Sequence, residues 1–370
     1  MAGYKDDLIV GICKKLQLPA RLYEQANDRY RTISEILSSD GAFKSIDVRM
    51  YAQGSFRLMT TVKPLHKNEF DLDFVVDIPS AYNMTPRELY EHIYRILTND
   101  GIHNDMVERK SRCIRLNYAN DFHMDIMPGK KVDEGTNEII VPDRELSRWY
   151  HHSNPIGYAD WFENQAKDHI RYYLKTQRSI RASVEPIQDQ EIAEHLEPLR
   201  RAVQLVKRYR DVYCEANNKE PVRSIVICTL LGEISGSYSS EICIIRDFCN
   251  YVNAKIQLAN GTPFEVKNPV VDEILSEKWK EDRRNYFDFV DMMDSLTDDI
   301  RKLDSLSLNT EITEQLKRMF GEKITNIVVR DYSQKMTDAR EREELAIDSK
   351  GILNTRGDGI KVKKNTFYGQ

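Results

Sequence analysis

The run FDLDFVVDI at residues 70–78 alternates apolar and acidic side chains over one strand length, and it constrains the fold more than any other stretch of the chain. In a strand, residues two apart point the same way. Phe70, Leu72, Phe74, Val76 and Ile78 therefore form a buried face, and Asp71 and Asp73 share the opposite one. Two carboxylates about 4 Å apart in a partly desolvated cleft repel by roughly 4 kcal/mol at an effective dielectric near 20. Something positive must offset that cost, and Mg²⁺, a hard oxygen-seeking ion, suits the donor set.

A second alternating stretch, RCIRLNYANDFHMDIMPG, follows a helix-like segment. Ile114, Leu116 and Tyr118 alternate up to a turn expected at Ala119-Asn120, and Phe122, Met124 and Ile126 alternate after it, so a β-hairpin is predicted. On its second arm Asp121, His123 and Asp125 face away from the apolar residues. Asp125 can then enter the cleft of Asp71 and Asp73 if both arms join one sheet. Three carboxylates from two strands can hold two cations about 3.5 to 4 Å apart, an arrangement that activates an attacking hydroxyl and steadies a leaving pyrophosphate. This is the chemistry of nucleotidyl transfer.

Alone, a DxD pair is ordinarily a solvated strand face, and a Gly-Ser pair is ordinarily a turn. The order of features gives them weight: an alternating strand (Ile46, Val48, Met50), then Gln53-Gly54-Ser55 opening a short helix, then the acidic pair, then a lone Asp on a later hairpin. Glycine lets backbone N–H groups approach a phosphate, Ser55 adds a hydroxyl donor, and a helix start favours anions.

These residues resemble the nucleotidyltransferase superfamily typified by DNA polymerase beta, and more closely the bacterial CD-NTases, relatives of cyclic GMP-AMP synthase and oligoadenylate synthetase. The resemblance is carried by YAQGSFRLMTTVKP, NEFDLDFVVDI, NYANDFHMDIMPG, LVKRYRDVYC, SIVICTLLG and KNPVVDEILSEKW, which span about residues 50 to 290. It implies an α+β fold in which a polymerase-beta-like palm with a mixed, twisted sheet joins a C-terminal helical lobe. It also implies NTP substrates, ATP among them, two Mg²⁺ ions with Mn²⁺ able to substitute, and a cyclic di- or trinucleotide used as an antiphage second messenger. Asp71, Asp73 and Asp125 take the catalytic and metal-binding roles, and Gln53, Gly54 and Ser55 the nucleotide-binding turn. Lys207, in the LVK segment, matches a triphosphate-binding lysine, and Ser224 matches a serine that touches phosphate. From the residues alone, Lys207 is a helix-surface lysine beside the stripe Leu199, Val203, Val206 and Tyr213, able to snorkel, and Ser224 is a cap. Two rival activities share the motifs: a template-independent RNA or tRNA nucleotidyltransferase, and a toxin that nucleotidylates protein hydroxyls.

Composition narrows the partners. With 54 Lys and Arg against 59 Asp and Glu, a net charge of −5, the chain lacks the basic surplus by which proteins grip long nucleic acid. Small charged substrates fit better. The six cysteines contain no CxxC pair and are expected as reduced, buried thiols, and no zinc-ribbon pattern is present. No apolar run approaches a membrane span and no signal peptide opens the chain, so a cytoplasmic enzyme is expected.

Four segments are expected: N-terminal helices packing on the palm (1–44), the palm core (45–195), a helical lobe (196–345) and a flexible tail (346–370). Within them, Leu22, Ala26, Tyr30, Ile33 and Leu37 mark an amphipathic helix, and Thr85, Pro86 and Glu88 open a capped helix over 85–99. Asn154-Pro155 opens another, residues 175–194 are expected as a loop, and helices are predicted over 197–216, 223–234, 241–258 and 271–303. The tail is rich in Lys and Gly. The resemblance implies an accessory protein acting on the C-terminus, with NTFYGQ as its handle and a frayed end as the alternative reading. Arg57 and Lys63 flank the Gly-Ser turn and are read as solvated or phosphate-facing charges, His123 as a structural neighbour of Asp125, and His151-His152 as surface. Lys130 and Lys131 line the cleft mouth or face water. Asp77, about 13 Å from Asp71 at strand rise, is too far to share its ion.

Overall fold

The computed structural model describes residues 3–66, 70–101, 103–118, 122–146, 150–167, 183–184, 196–234, 238, 240–347, 353–354 and 359–362. Eight strands make one mixed sheet: β1 (Arg49–Ala52), β2 (Asp71–Ile78), β3 (Val107–Arg109), β4 (Ile114–Tyr118), β5 (Phe122–Lys131), β6 (Ile139–Pro142), β7 (Tyr150–Ser153) and β8 (Ser183–Val184). The order is β3-β4-β5-β2-β1-β8, with β6 pairing the end of β5 and β7 pairing β6. β2 and β5 are parallel, as are β1 and β8, and the remaining pairs are antiparallel.

The alternation read from the sequence decides which face is covered. Leu72, Phe74, Val76 and Ile78 of β2, Ile114 and Leu116 of β4, and Phe122, Met124 and Ile126 of β5 are buried in one cluster. Of the N-terminal helices α1 (Tyr4–Leu16) and α2 (Ala20–Ser38), only α2 belongs to that layer: Ala26, Tyr30, Ile33 and Leu37 pack into it, and the Tyr30 hydroxyl donates to the Met50 carbonyl at 2.9 Å. After the single-turn α3 (Gly54–Arg57), the second covering helix is α4 (Pro86–Asn99). Its predicted capping box is present: the Glu88 N–H donates to Thr85 Oγ1 (3.2 Å) and the Thr85 N–H to Glu88 Oε2 (2.8 Å).

The helical lobe comprises α5 (Pro155–Ala166), α6 (Pro198–Asn217), α7 (Ser224–Gly232), α8 (Glu241–Ala259), α9 (Lys278–Glu281), α10 (Arg283–Ser305), α11 (Asn309–Phe320) and α12 (Glu322–Glu341). Contrary to the expected grouping, which put α1 with the palm-covering helices and α5 in the palm core, both pack here, α1 against α12, α6 and α11 and α5 against α6 and α7. A Cβ at Gly11 of α1 would fall 2.5 Å from Val328 of α12, so the glycine permits that close approach. The helix predicted over 271–303 is interrupted. The Asp282 side chain accepts from the Arg284 N–H and starts α10 afresh, while Leu275 and Ser276 tie the preceding segment back to Val266.

Of the segment expected as a loop, Ser183–Val184 forms β8 and the remainder up to residue 194 lies outside the described residues. In the tail, β10 (Leu353–Asn354) and β11 (Ile360–Lys361) both pair with β9 (Ala346–Ile347), and residues 363–370 lie outside the described residues. All six cysteines are free thiols, four of them buried. No helix among the described residues is long and apolar enough to cross a membrane.

Candidate active site

The face of β2 and β5 opposite the main apolar cluster gathers the acidic residues. The parallel register sets Asp73 beside Asp125 and Asp71 beside His123. Across the hairpin, Arg115 of β4 lies opposite Asp125. The three carboxylates therefore share one sheet face on two adjacent strands. Asp73 is the innermost, and its carboxyl is pushed up to about 8, first by burial and then by the neighbouring charges of Asp125 and Asp71. Asp71 stands at the rim, its side chain 57% exposed. Residues 119–121, which hold the expected turn and Asp121, lie outside the described residues.

The turn between β1 and β2 is fastened to this acidic row. Gln53 donates its backbone N–H to the Asp73 carbonyl at 2.8 Å, one step beyond the last β1–β2 pair, Ala52 with Phe74. Gly54 then takes φ +60°, and a Cβ there would run into the Asp73 carboxylate. Glycine is required on both counts. Ser55 is the second residue of α3; its carbonyl accepts from the Thr60 N–H (2.9 Å) and its hydroxyl accepts from Thr61 Oγ1 (3.3 Å). The Gln53 side-chain amide contacts Met127 Sδ at 3.7 Å.

Arg115 was not singled out in the sequence, and it is the guanidinium that pairs with the acidic row. Its Nε and Nη2 donate to the two oxygens of Asp125, both at 2.7 Å, and Nη2 lies 3.4 Å from Asp71 Oδ1. Among the described residues, no three His, Cys, Asp or Glu side chains close around one point as metal ligands do. The donor chemistry nevertheless fits a divalent cation: three carboxylates, one pushed up to about 8 by burial and then by its acidic neighbours, share the face with a single guanidinium. The Cys113 thiol borders the same cluster, its pKa pushed up by burial and then by Asp125 and Asp73, which leaves it an inert neutral group.

Lys207 is not a snorkelling surface lysine. It is buried, and its Nζ donates to the Thr60 carbonyl at 2.8 Å. Burial lowers its pKa, while Asp73 is among the charges that support the ammonium. It belongs to a row along α6 that sequence reasoning missed: Arg200 donates to the Leu58 carbonyl, Gln204 to Thr61 (3.1 Å) and Arg208 to Lys63 (2.6 Å). Spaced over 200, 204, 207 and 208, these side chains share one helix face and satisfy the carbonyls of the irregular segment after α3. Ser224 is the first residue of α7, one past the cap position held by Arg223, and its hydroxyl accepts from Arg210 Nη1 at 3.0 Å.

The remaining candidates lie apart. Asp77 is buried beyond Val75, its carboxyl pushed up to about 7 by burial against the opposing charges of Arg49 and Lys131. Lys131 also pairs with Glu134 at 3.3 Å. Lys63 gives its backbone N–H to the Leu16 carbonyl, and Arg57 ends α3. His151 departs from the surface reading: on β7 its side chain is only 12% exposed, 3.9 Å from Glu273, and burial lowers its pKa to about 4.

The chain is similar to known proteins in sequence and in fold. A family model for the Second Messenger Oligonucleotide or Dinucleotide Synthetase domain matches residues 10–166. The chain is 30% identical over 371 residues to a c-di-GMP synthase of Roseivirga ehrenbergii, covering 98% of this chain and 97% of that one. It is 21% identical to the cyclic dinucleotide synthase CdnG of Bradyrhizobium diazoefficiens, over 90% and 84% of the two chains. The structure of that organism's CD-NTase CdnG in complex with GTP shares the fold with a TM-score of 0.72, at 19% identity, over 89% of this chain and 99% of that one.

Proposed function

Because the chain belongs to the CD-NTases, the nucleotidyltransferase family of cyclic dinucleotide synthases, we propose that it condenses two nucleoside triphosphates, GTP among them, into a cyclic dinucleotide. The observation that carries this reading is the register of β2 and β5, which sets Asp71, Asp73 and Asp125 on one face beneath the Gly54 turn.

Asp71, Asp73 and Asp125 would hold two Mg²⁺ ions, or Mn²⁺ in their place, which supply a hydroxyl nucleophile near neutral pH and a charge clamp on the leaving pyrophosphate. The chain's own residues do the rest. Gln53, Gly54 and Ser55 offer backbone and hydroxyl donors to the donor triphosphate, and Lys207 supplies positive charge from behind the turn. Ser224, held by Arg210, is a further phosphate contact in this reading. Asp125 orients the acceptor ribose hydroxyl and favours loss of its proton. That oxygen bonds to the α-phosphorus as the bond to pyrophosphate breaks. A second, equivalent transfer within the bound linear dinucleotide closes the ring, so two pyrophosphates leave per product.

The cyclic product acts in this reading as a cytoplasmic second messenger for antiphage effectors, with an accessory protein engaging the C-terminus. Incubation with all four NTPs and Mg²⁺ or Mn²⁺, followed by phosphatase and mass spectrometry, tests it. A phosphatase-resistant cyclic dinucleotide is expected. Primer-dependent extension of RNA or tRNA, or label transferred to protein, would overturn it.

A further inference from the structure

Arg115 and Asp125 are opposed across an antiparallel pair, so their backbones already bring the side chains together. The contact is a two-pronged one, Nε to Oδ1 and Nη2 to Oδ2, both at 2.7 Å. Such forks are the strongest of the ordinary ion pairs. They also occupy both Asp125 oxygens, the ones a cation would need. The third contact, from Nη2 to Asp71 Oδ1 at 3.4 Å, reaches across to the strand on the other side of β5. With its side chain 23% exposed, Arg115 lies among the carboxylates themselves and not above them in solvent.

Taking Asp71, Asp73 and Asp125 as the cation site proposed above, we infer that Arg115 is a positioning residue that competes with the cation. It holds Asp125 in line while no cation is bound and yields at least one of its oxygens when a cation arrives with the nucleotide. The competition makes cation binding without nucleotide weak. A nearby unit charge repels the incoming ion, and the fork must open before Asp125 can coordinate. Nucleotide phosphates reverse the balance, because they add ligands to the ion and offer the released guanidinium an alternative anion.

The test is Mn²⁺ binding to nucleotide-free protein, followed as free Mn²⁺ by electron paramagnetic resonance, in wild type, Arg115→Gln, Arg115→Lys and Asp125→Asn. Arg115→Gln is expected to bind Mn²⁺ about tenfold more tightly, the scale of one charge-assisted contact. Arg115→Lys keeps the charge without the fork and is expected to fall between. In turnover, kcat should drop in Arg115→Gln as Asp125 loses its alignment, while the Mn²⁺ concentration needed for half-maximal rate decreases. A purely structural role would lower the rate without tightening Mn²⁺. If Arg115→Gln melts early, Arg115→Lys decides between tightening and none. Should Asp125→Asn weaken Mn²⁺ binding while neither Arg115 variant tightens it, the competing role is wrong and the cation site stands. Should Asp125→Asn leave Mn²⁺ binding unchanged in the Arg115→Gln background, where no fork withholds the carboxylate, the cation site itself is wrong and this role with it.

Discussion

Asp73 is fixed by its neighbours more completely than any other residue of the site. Its carbonyl holds Gln53, its carboxylate fills the space left by the missing Cβ of Gly54, and its register partner is another carboxylate. The raised pKa has a definite consequence for stability. The unfolded chain releases this proton in the ordinary carboxylate range, whereas the cation-free fold keeps it up to about 8. Between those pH values the folded state binds more protons, so stability falls as pH rises, by on the order of a few kcal/mol in all. Asp77, pushed up to about 7, acts in the same direction and should preserve part of the slope. Asp73→Asn is therefore expected to abolish product while raising the melting temperature of the cation-free enzyme above pH 8, which calorimetry across pH checks. Gly54→Ala forces both a left-handed backbone and a clash with Asp73. It should cost on the order of 1–3 kcal/mol in a denaturant melt and reduce turnover at least as severely as it reduces stability.

At the scale of elements, the strand alternation around Asp71 and Asp125 was readable because a sheet with one buried face imposes a period of two on its sequence. The capping box of α4 was readable for a similarly local reason. Arg115 lay within the same alternation, since pairing apolar with apolar across the hairpin puts it opposite Asp125, but that inference needs the register of both arms at once. Apart from Lys207, which the resemblance picked out, the row on α6 left no signal. Its acceptors are backbone carbonyls of a segment without regular structure, and any sequence supplies carbonyls. Nor did α1 announce its partner: an amphipathic helix declares an apolar face without saying whether a sheet or α12 will cover it. The buried position of Lys207 yields a prediction. Burial disfavours its charged form, while Met would leave the Thr60 carbonyl without its donor, so Lys207→Met should change the melting temperature little, and the KM for NTP should rise about tenfold or more through loss of the positive charge proposed to act from behind the turn. Steady-state kinetics beside a thermal melt separates the two effects.

Across the whole molecule, two of the contacts between palm and helical lobe bear most on the site. One is the α6 row beneath the Gly54 turn. The other is ionic: Arg112 of the palm donates to Asp143 (2.7 Å) and to Glu277 of the lobe (3.2 Å), and Arg223 holds Glu277 at 2.9 Å. The Asp143 side chain is only 3% exposed, so removal of Arg112 leaves a carboxylate buried without that partner. Arg112→Ala should therefore cost on the order of 1–3 kcal/mol and increase amide exchange at the start of α7, as measured by hydrogen exchange. The net charge of −5 gives no general attraction for polyanions, and duplex DNA added to the reaction should leave the rate of product formation unchanged.

Anomalous diffraction from crystals grown with Mn²⁺ and a non-hydrolysable GTP tests the convergence of the carboxylates most directly. The expected result is Mn²⁺ bonded to Asp71, Asp73 and Asp125 beside the Gly54 turn, with the Arg115 fork opened. Mn²⁺ bound away from these three residues, with a nucleotide in place, would contradict it.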